Sequence, residues 1–155
     1  MSDSASKLGM WEGRWTYSER DYETPYSHTR TNTGTANCKW APNRGFMICD
    51  YHNSGSGNGV PTNDIAVLSY SSATHTYAHV GVFKDRKPFV AKVTVHGNSW
   101  VTSANIPYKA RTLLYKNVHA FSGDGKHAYT TTDISADNGK TWTTMSRFTA
   151  AKVGP

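Results

Sequence analysis

The sequence predicts an all-β protein, a single antiparallel up-and-down barrel of about ten strands. Stretches rich in threonine, valine and aromatic residues recur at intervals of roughly ten to fifteen residues, separated by turns rich in glycine, asparagine and aspartate. No segment long enough for a stable helix repeats its apolar residues with the period of an amphipathic helix. Of the 155 residues, 37% are hydrophobic and 12% are aromatic, which suits a thin-walled barrel in which large rings supply much of the buried surface.

The first predicted strand, 9–20, carries the most specific pattern in the chain. Under two-residue alternation, one face of this strand holds Trp11, Gly13, Trp15 and Tyr17. A glycine between two tryptophans on one face leaves room for close packing or marks a bend in a barrel wall. This face is therefore expected to be part of the barrel interior.

The turns between the other strands set their limits. The remaining predicted strands are 28–40, 46–52, 64–70, 76–84, 88–96, 99–104, 111–121, 129–135 and 141–151. The Gly-Asn order at 97–98 suits the type II′ turn that joins right-twisted strands. The glycine-rich segment 53–61 is expected to be a loop, and a flap over the barrel mouth is the alternative that stays open. Residues 1–7 are expected to form a flexible or loosely helical lead-in, and residues 8–155 one domain.

The charge balance bears on the choice of partner. A formal net charge of +6 and a pI near 9.4 raise the question of a nucleic-acid partner. The 17 lysines and arginines are scattered, however, and the densest run, 84–87, falls in a predicted turn where charge serves solubility. Nucleic acid is therefore disfavoured, a small molecule is the expected partner, and a homodimer stays open.

Hydropathy and cysteine content bear on location. No run of about twenty apolar residues is present, so the sequence predicts no membrane-spanning helix. The polar start of the chain lacks the apolar segment of a secretory signal. These features predict a soluble, cytoplasmic protein. Cys38 and Cys49 are within reach of pairing across neighbouring strands, but two free buried thiols are favoured in that reducing compartment.

Seven histidines are the most unusual polar feature, and none has the spacing of a metal-binding motif. On the fifth predicted strand, Tyr77 and His79 share one face, and on the sixth His96 shares a face with Lys92 and Thr94. If the two strands form a hairpin, these polar faces are expected to be continuous, with His79 and His96 on the same side. That side lines the lumen in one interpretation; in the other, valine-rich faces fill the barrel and the histidines face water. Both stay open.

The candidate site residues follow from strand parity and clustering. Those assigned to ligand binding are Trp15, Tyr17, Tyr77, His79, His96, Asp133 and Arg147, and the candidate catalytic groups among them are His79, His96 and Asp133. A buried Asp133 would need a cationic partner such as Arg111 or Arg147, because a lone buried carboxylate is costly. No metal site is expected.

Two motifs near the ends of the chain carry a resemblance. The Gly9-x-Trp11-x-Gly13 run opens the strand-rich region, and the segment Ser135-Ala136-Asp137-Asn138-Gly139-Lys140-Thr141-Trp142 precedes the last predicted strand. Together they resemble the corresponding motifs of nitrobindin-like and lipocalin-like (calycin-type) small barrels, including a bacterial uncharacterised group. The resemblance implies a calycin-type barrel with a central lumen.

The same resemblance raises haem as a cofactor. Nitrobindin-like proteins hold the haem iron through a histidine on a late, C-terminal strand, and the matching strand here, 141–151, contains no histidine. Met145 lies in that strand, but a lone strand methionine is far more often a packing residue. No haem-binding residue is assigned, and no cofactor is expected.

Two functions from different classes remain. The favoured one is binding of a small apolar or amphipathic ligand in the barrel lumen, supported by the barrel class and the supply of aromatic residues. The alternative is a cofactor-free proton-transfer enzyme, an isomerase, cyclase, lyase or hydratase, that uses a lumen His or Asp. No local motif of a Ser-His-Asp or Cys-His site is present, so the sequence does not decide whether the protein is an enzyme.

Overall fold

The computed structural model describes residues 7–55, 61–83 and 87–154, so residues 1–6 of the predicted lead-in lie outside the described part. A short 3-10 helix, Lys7–Met10, comes first. Within these ranges the strands are β1 Gly13–Asp21, β2 Arg30–Trp40, β3 Phe46–Asn53, β4 Thr62–Ser71, β5 Thr76–Val82, β6 Phe89–His96, β7 Ser99–Tyr108, β8 Arg111–Phe121, β9 His127–Ser135 and β10 Thr143–Gly154. Each strand pairs with its chain neighbours, and β1 pairs with β10 to close the ring. The predicted all-β up-and-down barrel of ten strands is confirmed.

Alternating side chains build the barrel wall. In β1, Gly13, Trp15 and Tyr17 are buried, whereas Arg14 and Thr16 between them are exposed. Residues that pair directly across two antiparallel strands point to the same side of the sheet. The strand register therefore identifies the inward face of every strand, starting from the buried face of β1.

The helix before β1 corrects the predicted start of the first strand, because residues 9–12 do not join the sheet. The Trp11 N–H instead donates a hydrogen bond to the Leu8 carbonyl over 3.1 Å. Gly13 then turns the chain into β1 with a φ of 119°, a conformation that favours glycine. Nowhere in the described ranges does a helix reach the length and apolar character needed to cross a bilayer.

The segment before β1 covers one end of the barrel, because Leu8 and Trp11 are buried beneath the lumen. We call it the closed end, and the opposite end, where β1 finishes at Asp21, the mouth.

Strand β7 is longer than predicted, since it continues to Tyr108 instead of ending at residue 104. Its last residues pair with the beginning of β8, Ile106 with Leu113 and Tyr108 with Arg111. A tight turn between the two strands makes this extension possible. Lys109 in that turn has a φ of 52°, which the sequence did not signal because lysine rarely adopts it.

Of three loop predictions, one falls on described residues and two fall mostly outside them. Gly97 has a φ of 57°, in the left-handed region that the predicted Gly-Asn turn requires. The predicted loop at 53–61 and the charged turn at 84–87 fall mostly on residues 56–60 and 84–86, which lie outside the described ranges. Those two predictions therefore stay open.

A disulfide joins Cys38 of β2 to Cys49 of β3, so the favoured expectation of two free thiols is wrong. The two cysteines are direct partners in the register of these strands, with Cα atoms 4.0 Å apart. Both side chains face inward and are almost completely buried. The register brings the sulfur atoms together on the lumen wall, which spacing along the chain does not determine.

Removing this disulfide is expected to destabilise the protein. The C38A/C49A double variant should lose about 2–3 kcal/mol of unfolding free energy, because a cross-link that closes a short loop restricts the unfolded chain by that order. The loop spans a sequence separation of 11 residues. Urea unfolding of the variant and the unreduced parent measures the difference.

A matched control exists one register position away. Asn37 and Asp50 also pair directly between β2 and β3, but both side chains are exposed. The N37A/D50A variant makes the same kind of double truncation and should change stability by less than about 0.5 kcal/mol. If the denatured, unreduced parent titrates two free thiols, the cross-link itself is refuted.

Candidate functional site

Aromatic rings fill the closed end of the lumen. Trp11 meets Trp100 edge-on with ring centroids 5.8 Å apart, and it meets Phe121 in the same way at 5.1 Å. Trp15 lies edge-on to Phe121 at 6.1 Å, and its indole N–H donates to the Trp11 carbonyl over 2.9 Å. Edge-to-face contacts between buried rings stabilise beyond the area they bury. The closed end is therefore apolar and firmly packed.

A small cavity remains above these rings, with a volume of about 20 Å³. A space of that size holds about one water molecule. Its lining is almost entirely apolar and consists of Trp11, Trp15, Ala36, Cys38, Tyr51, His119, Phe121, Ala128, Phe148 and Ala150. Tyr51 and His119 face inward yet are only half-buried, so their exposed surface borders the lumen and not the outer solvent.

Two histidines face inward from β5 and β8. Burial lowers the pKa of His79 to about 4. Burial, together with repulsion from a positive charge on His79, lowers the pKa of His119 to about 3. The Nδ1 atom of His119 also lies 2.8 Å from the hydroxyl oxygen of Thr130 in a hydrogen bond. Both rings are therefore neutral at pH 7.

The mouth half of the lumen contains a half-buried carboxyl group. Glu19 of β1 faces inward opposite Asn32 of β2. Burial raises the pKa of Glu19, and the nearby Asp21 carboxylate acts in the same direction. The Ser146 hydroxyl and the Asn32 amide, within hydrogen-bonding reach, lower it in part. Asp21 itself accepts a hydrogen bond from the Arg30 guanidinium over 2.9 Å, so that charge is already paired.

A second polar group faces inward from β8. The Asn117 side-chain amide donates from Nδ2 to the Thr132 hydroxyl over 2.8 Å. Its Oδ1 atom is buried and has no hydrogen-bond partner among the described residues. Tyr115, two residues earlier on the same face, has its pKa raised to about 12 by burial. Its hydroxyl lies within reach of Thr132 and Asn117, and the Glu19 carboxyl contributes to the raised pKa.

Tyrosines and a phenylalanine separate the two halves of the lumen. Tyr17 stacks on Phe148 with ring centroids 4.8 Å apart, and it lies 6.3 Å from Tyr51. Burial raises the pKa of Tyr17 to about 12, with smaller effects of the Glu19 and Asp64 carboxylates. Burial also raises the pKa of the Tyr51 hydroxyl well above its usual range. These side chains place an aromatic layer between the apolar closed end and the polar mouth half.

Four of the residues assigned to ligand binding face the lumen and three do not. Trp15, Tyr17, Tyr77 and His79 lie on the inward face, as the register of β1, β4 and β5 shows. The outer wall holds His96, Asp133 and Arg147. Asp133 has neither of its expected arginine partners: its carboxylate lies 3.7 Å from Lys116 Nζ and accepts a hydrogen bond from the Thr144 hydroxyl over 2.9 Å.

The expectation that His79 and His96 share a side of the sheet is wrong. His79 pairs with Ala91, and Tyr77 pairs with Val93, so the inward polar face of β5 continues into the apolar face of β6. His96 therefore points outward. The histidine face of one strand and the valine face of the next both line the lumen, which neither of the two interpretations foresaw.

Sequence reasoning missed the polar groups of the mouth half. Glu19 continues the inward alternation of Trp15 and Tyr17, and that signal was present in the first strand. Asn117 and Tyr115 gave no comparable signal, because nothing in β8 alone marks its inward face. His119 was one of seven histidines without a distinguishing pattern.

The described residues do not match the haem arrangement that the resemblance implies. β10 carries no histidine, and the inward histidines lie on β5 and β8. The cavity beside His119 has a volume of about 20 Å³, far below what a porphyrin needs. Met145 lies at an irregularity of β10 between Thr144 and Ser146, where its carbonyl accepts a hydrogen bond from Tyr22. Within the described ranges, no three His, Cys, Asp or Glu side chains are grouped as metal ligands.

The barrel is similar to solved structures, although its sequence is not similar to known families. No protein-family model matches the chain, and no curated protein matches it. The crystal structure of Rv2717c from M. tuberculosis aligns over 99% of each chain, with a TM-score of 0.64 and 10% identity. A protein of unknown function from the DUF3598 family of Nostoc punctiforme aligns over 99% of this chain and 100% of its own, with a TM-score of 0.30 and 8% identity. The first likeness shows the fold alone, and the nitrobindin-like resemblance stays a prediction.

Proposed function

We propose that the protein binds one small amphipathic molecule in the barrel lumen. The observation that supports this most is the division of the inward wall into an apolar closed end and a polar mouth half. Small-molecule sites combine a mostly apolar lining with a few polar groups that fix orientation. Here Phe121 and Phe148 border the apolar cavity, and Glu19 and Asn117 supply polar groups nearer the mouth.

The free space determines how such a ligand lies. The cavity of about 20 Å³ admits a methyl-sized group but no ring, unless neighbouring side chains move. Glu19 and Tyr115, by contrast, face inward and are half-buried, so solvent-accessible space adjoins them. The ligand therefore keeps most of its bulk near the mouth, over the ring of Phe148, and directs its apolar end toward the cavity.

Filling the cavity tests the proposal. Ala150 is buried on the cavity wall, and its neighbour Thr149 is exposed on the outer face of the same strand. A150V should weaken binding at least tenfold, because added methyl groups occupy the space of the apolar end. Binding of 2-phenylethanol and 2-phenylethylamine is measured by the fluorescence of the buried tryptophans and by calorimetry.

The control variant introduces the same residue on the other face. T149V should bind each probe as the parent does, and near-UV circular dichroism checks that both variants keep the native packing. Native mass spectrometry of protein purified without added ligand shows whether a small molecule is retained. If the parent binds neither probe and retains no molecule, or if A150V binds as tightly as the parent, the proposal fails.

The alternative, a cofactor-free isomerase, cyclase, lyase or hydratase, has one specific observation in its favour. Glu19 is an inward carboxyl group with a raised pKa, a property common among general acids and bases. Under this alternative Glu19 transfers the proton, and His79, which also faces the lumen, stays neutral. Turnover of a bound molecule that E19Q abolishes without loss of binding would favour the enzyme.

We propose that the protein acts without haem or a metal and without nucleic acid. A cytoplasmic location requires that the Cys38 pair be reduced there, since disulfides persist mainly in oxidising compartments. A homodimer would use exposed apolar side chains on the outer wall, Ile65, Val82 and Val90 among them, and sedimentation velocity tests it.

A further inference from the structure

We propose that the ligand is an amphipathic amine, whose protonated head donates hydrogen bonds to Glu19 and Asn117 in the mouth half of the lumen. This inference rests on the proposed function and adds the chemical class of the ligand. An alkylammonium group has three hydrogen-bond donors and no acceptor. The mouth half offers acceptors and a negative charge, which is the complementary arrangement.

The first acceptor is the Glu19 carboxylate. Glu19 extends inward from β1, between Asn32 of β2 on one side and Ser146 and Phe148 of β10 on the other. It is held by neutral partners, the Ser146 hydroxyl and the Asn32 amide, while Arg30 is committed to Asp21 at 2.9 Å. The charges of Asp21 and Arg30 also act on Glu19, in opposite directions, but these two residues pair with each other, so no described cation forms an ion pair with Glu19 itself. In this partly buried space a carboxylate attracts a cation more strongly than it does in water.

The second acceptor is independent of any charge. Asn117 is only 8% exposed, and its Oδ1 atom lacks a partner among the described residues although Nδ2 is bonded to Thr132. A buried acceptor that stays unsatisfied costs free energy, and native structures rarely leave one without a reason. A donor on a ligand would satisfy this oxygen, whereas a ligand carboxylate would not.

Tyr115 connects the two acceptors into one site. Its side chain lies on the same inward face of β8 as Asn117, and its hydroxyl lies within hydrogen-bonding reach of Asn117 and Thr132. The register continues across the wall from Asn117 to Thr132, from Thr132 to Ser146 and from Ser146 to Asp21, which is two residues from Glu19 on the same face of β1. Glu19 from β1 and Asn117 from β8 therefore act on the same part of the lumen. An ammonium group placed beside the Tyr115 hydroxyl has donors for both acceptors.

The distribution of charge also favours a cation. The charged residues at inward positions of the described mouth half are Glu19, Asp21 and Asp64, with Arg30 and Arg111 at its rim. Arg30 pairs with Asp21, and the guanidinium of Arg111 lies over the ring of Tyr26, 5.7 Å from its centroid. With the two rim arginines counted, the mouth half carries one more negative charge than positive charges, which is opposite in sign to the net charge of +6 of the whole chain.

Three probes of similar shape test the ligand class. The parent should bind 2-phenylethylamine at least tenfold more tightly than neutral 2-phenylethanol, and 3-phenylpropionate most weakly, by calorimetry at pH 7. In a two-dimensional NMR spectrum, the side-chain amide signals of Asn117 should shift with the amine. This ranking needs no variant, so it remains informative if a lumen substitution perturbs folding.

A pair of matched variants then separates charge in the lumen from charge at the surface. E19Q should lower amine affinity at least tenfold and leave the affinity for 2-phenylethanol within about twofold. E23Q makes the same change at Glu23, a solvent-exposed residue paired with His28, and should alter neither. Equal affinities for the amine and the alcohol, unchanged in E19Q, overturn the inference while the proposed function stands. Failure of every probe to bind the parent overturns both.

Discussion

Lowering the pH from 6 to 5 is expected to remove about 2 kcal/mol of the protein's free energy of unfolding. The cause is the pair of inward histidines, whose pKa values in the folded protein lie at about 4 for His79 and about 3 for His119. In the unfolded chain both titrate near their ordinary value of about 6.5. Below that value the unfolded state takes up two protons that the folded state does not, so stability present at pH 7 is lost as the pH falls toward the folded pKa values.

Between pH 6 and pH 5, the two histidines dominate the change in the free energy of unfolding. Hydrogen bonds from Thr141 hold the pKa of Asp137 at about 2, and those of Asp124 and Glu23 are also lowered, so their losses come at more acidic pH. Glu19 acts in the opposite direction, because its raised pKa favours the protonated folded state and reduces the loss.

Urea unfolding at pH 7, 6 and 5 measures this dependence. The double variant H79Q/H119Q should remove most of the slope, and either single variant should remove about half. H96Q serves as the matched control, since His96 lies exposed on the outer wall, and it should retain the slope of the parent. A parent whose stability is the same at pH 6 and pH 5 would refute the burial of the two rings.

A single methyl group at Gly34 is expected to cost at least about 3 kcal/mol of stability, the upper part of the range for overpacked positions. A Cβ atom there would collide with the His52 carbonyl oxygen, and it would lie 2.5 Å from the Tyr17 hydroxyl oxygen and 2.6 Å from the carbon that bears it. The Tyr17 ring is fixed by its stacking on Phe148, and the His52 oxygen belongs to the neighbouring strand. Neither group can withdraw cheaply, so G34A must distort the wall.

Thermal and urea unfolding of G34A measure the effect. G123A is the control, because a Cβ at Gly123 meets nothing within 4 Å. That variant should stay within about 0.5 kcal/mol of the parent. If G34A unfolds like G123A, Tyr17 does not cover Gly34 in solution.

The fold class was predictable because it depends on local patterns. Trp15 and Tyr17 alternate with exposed residues, and this alternation is visible within one strand without knowledge of the rest of the chain. The same alternation misled at the start of the chain. Trp11 and Gly13 fit a two-residue period, although Trp11 belongs to the segment that covers the closed end. Period alone cannot distinguish the first residues of a strand from a helical turn that happens to bury the same positions.

The site was less predictable because it depends on register. Polar neighbours along each strand group His79 with His96, but a shift of one residue between two strands exchanges the inward and outward faces. The Cys38–Cys49 disulfide depends in the same way on a register that the sequence does not state. Glu19 and Asn117 lie on strands about a hundred residues apart in the chain, so only the closed ring brings them to one lumen.

Closure of β1 against β10 also has a consequence for synthesis on the ribosome. Arg14 pairs with Gly154 and Asp21 with Ser146, so the last seam of the wall joins the two most distant parts of the barrel. A nascent chain that lacks β10 keeps the edges of β1 and β9 unpaired, and such edges invite pairing with other chains. We therefore expect folding to finish only after release of β10 from the exit tunnel, with chaperone contact concentrated on the truncated intermediates.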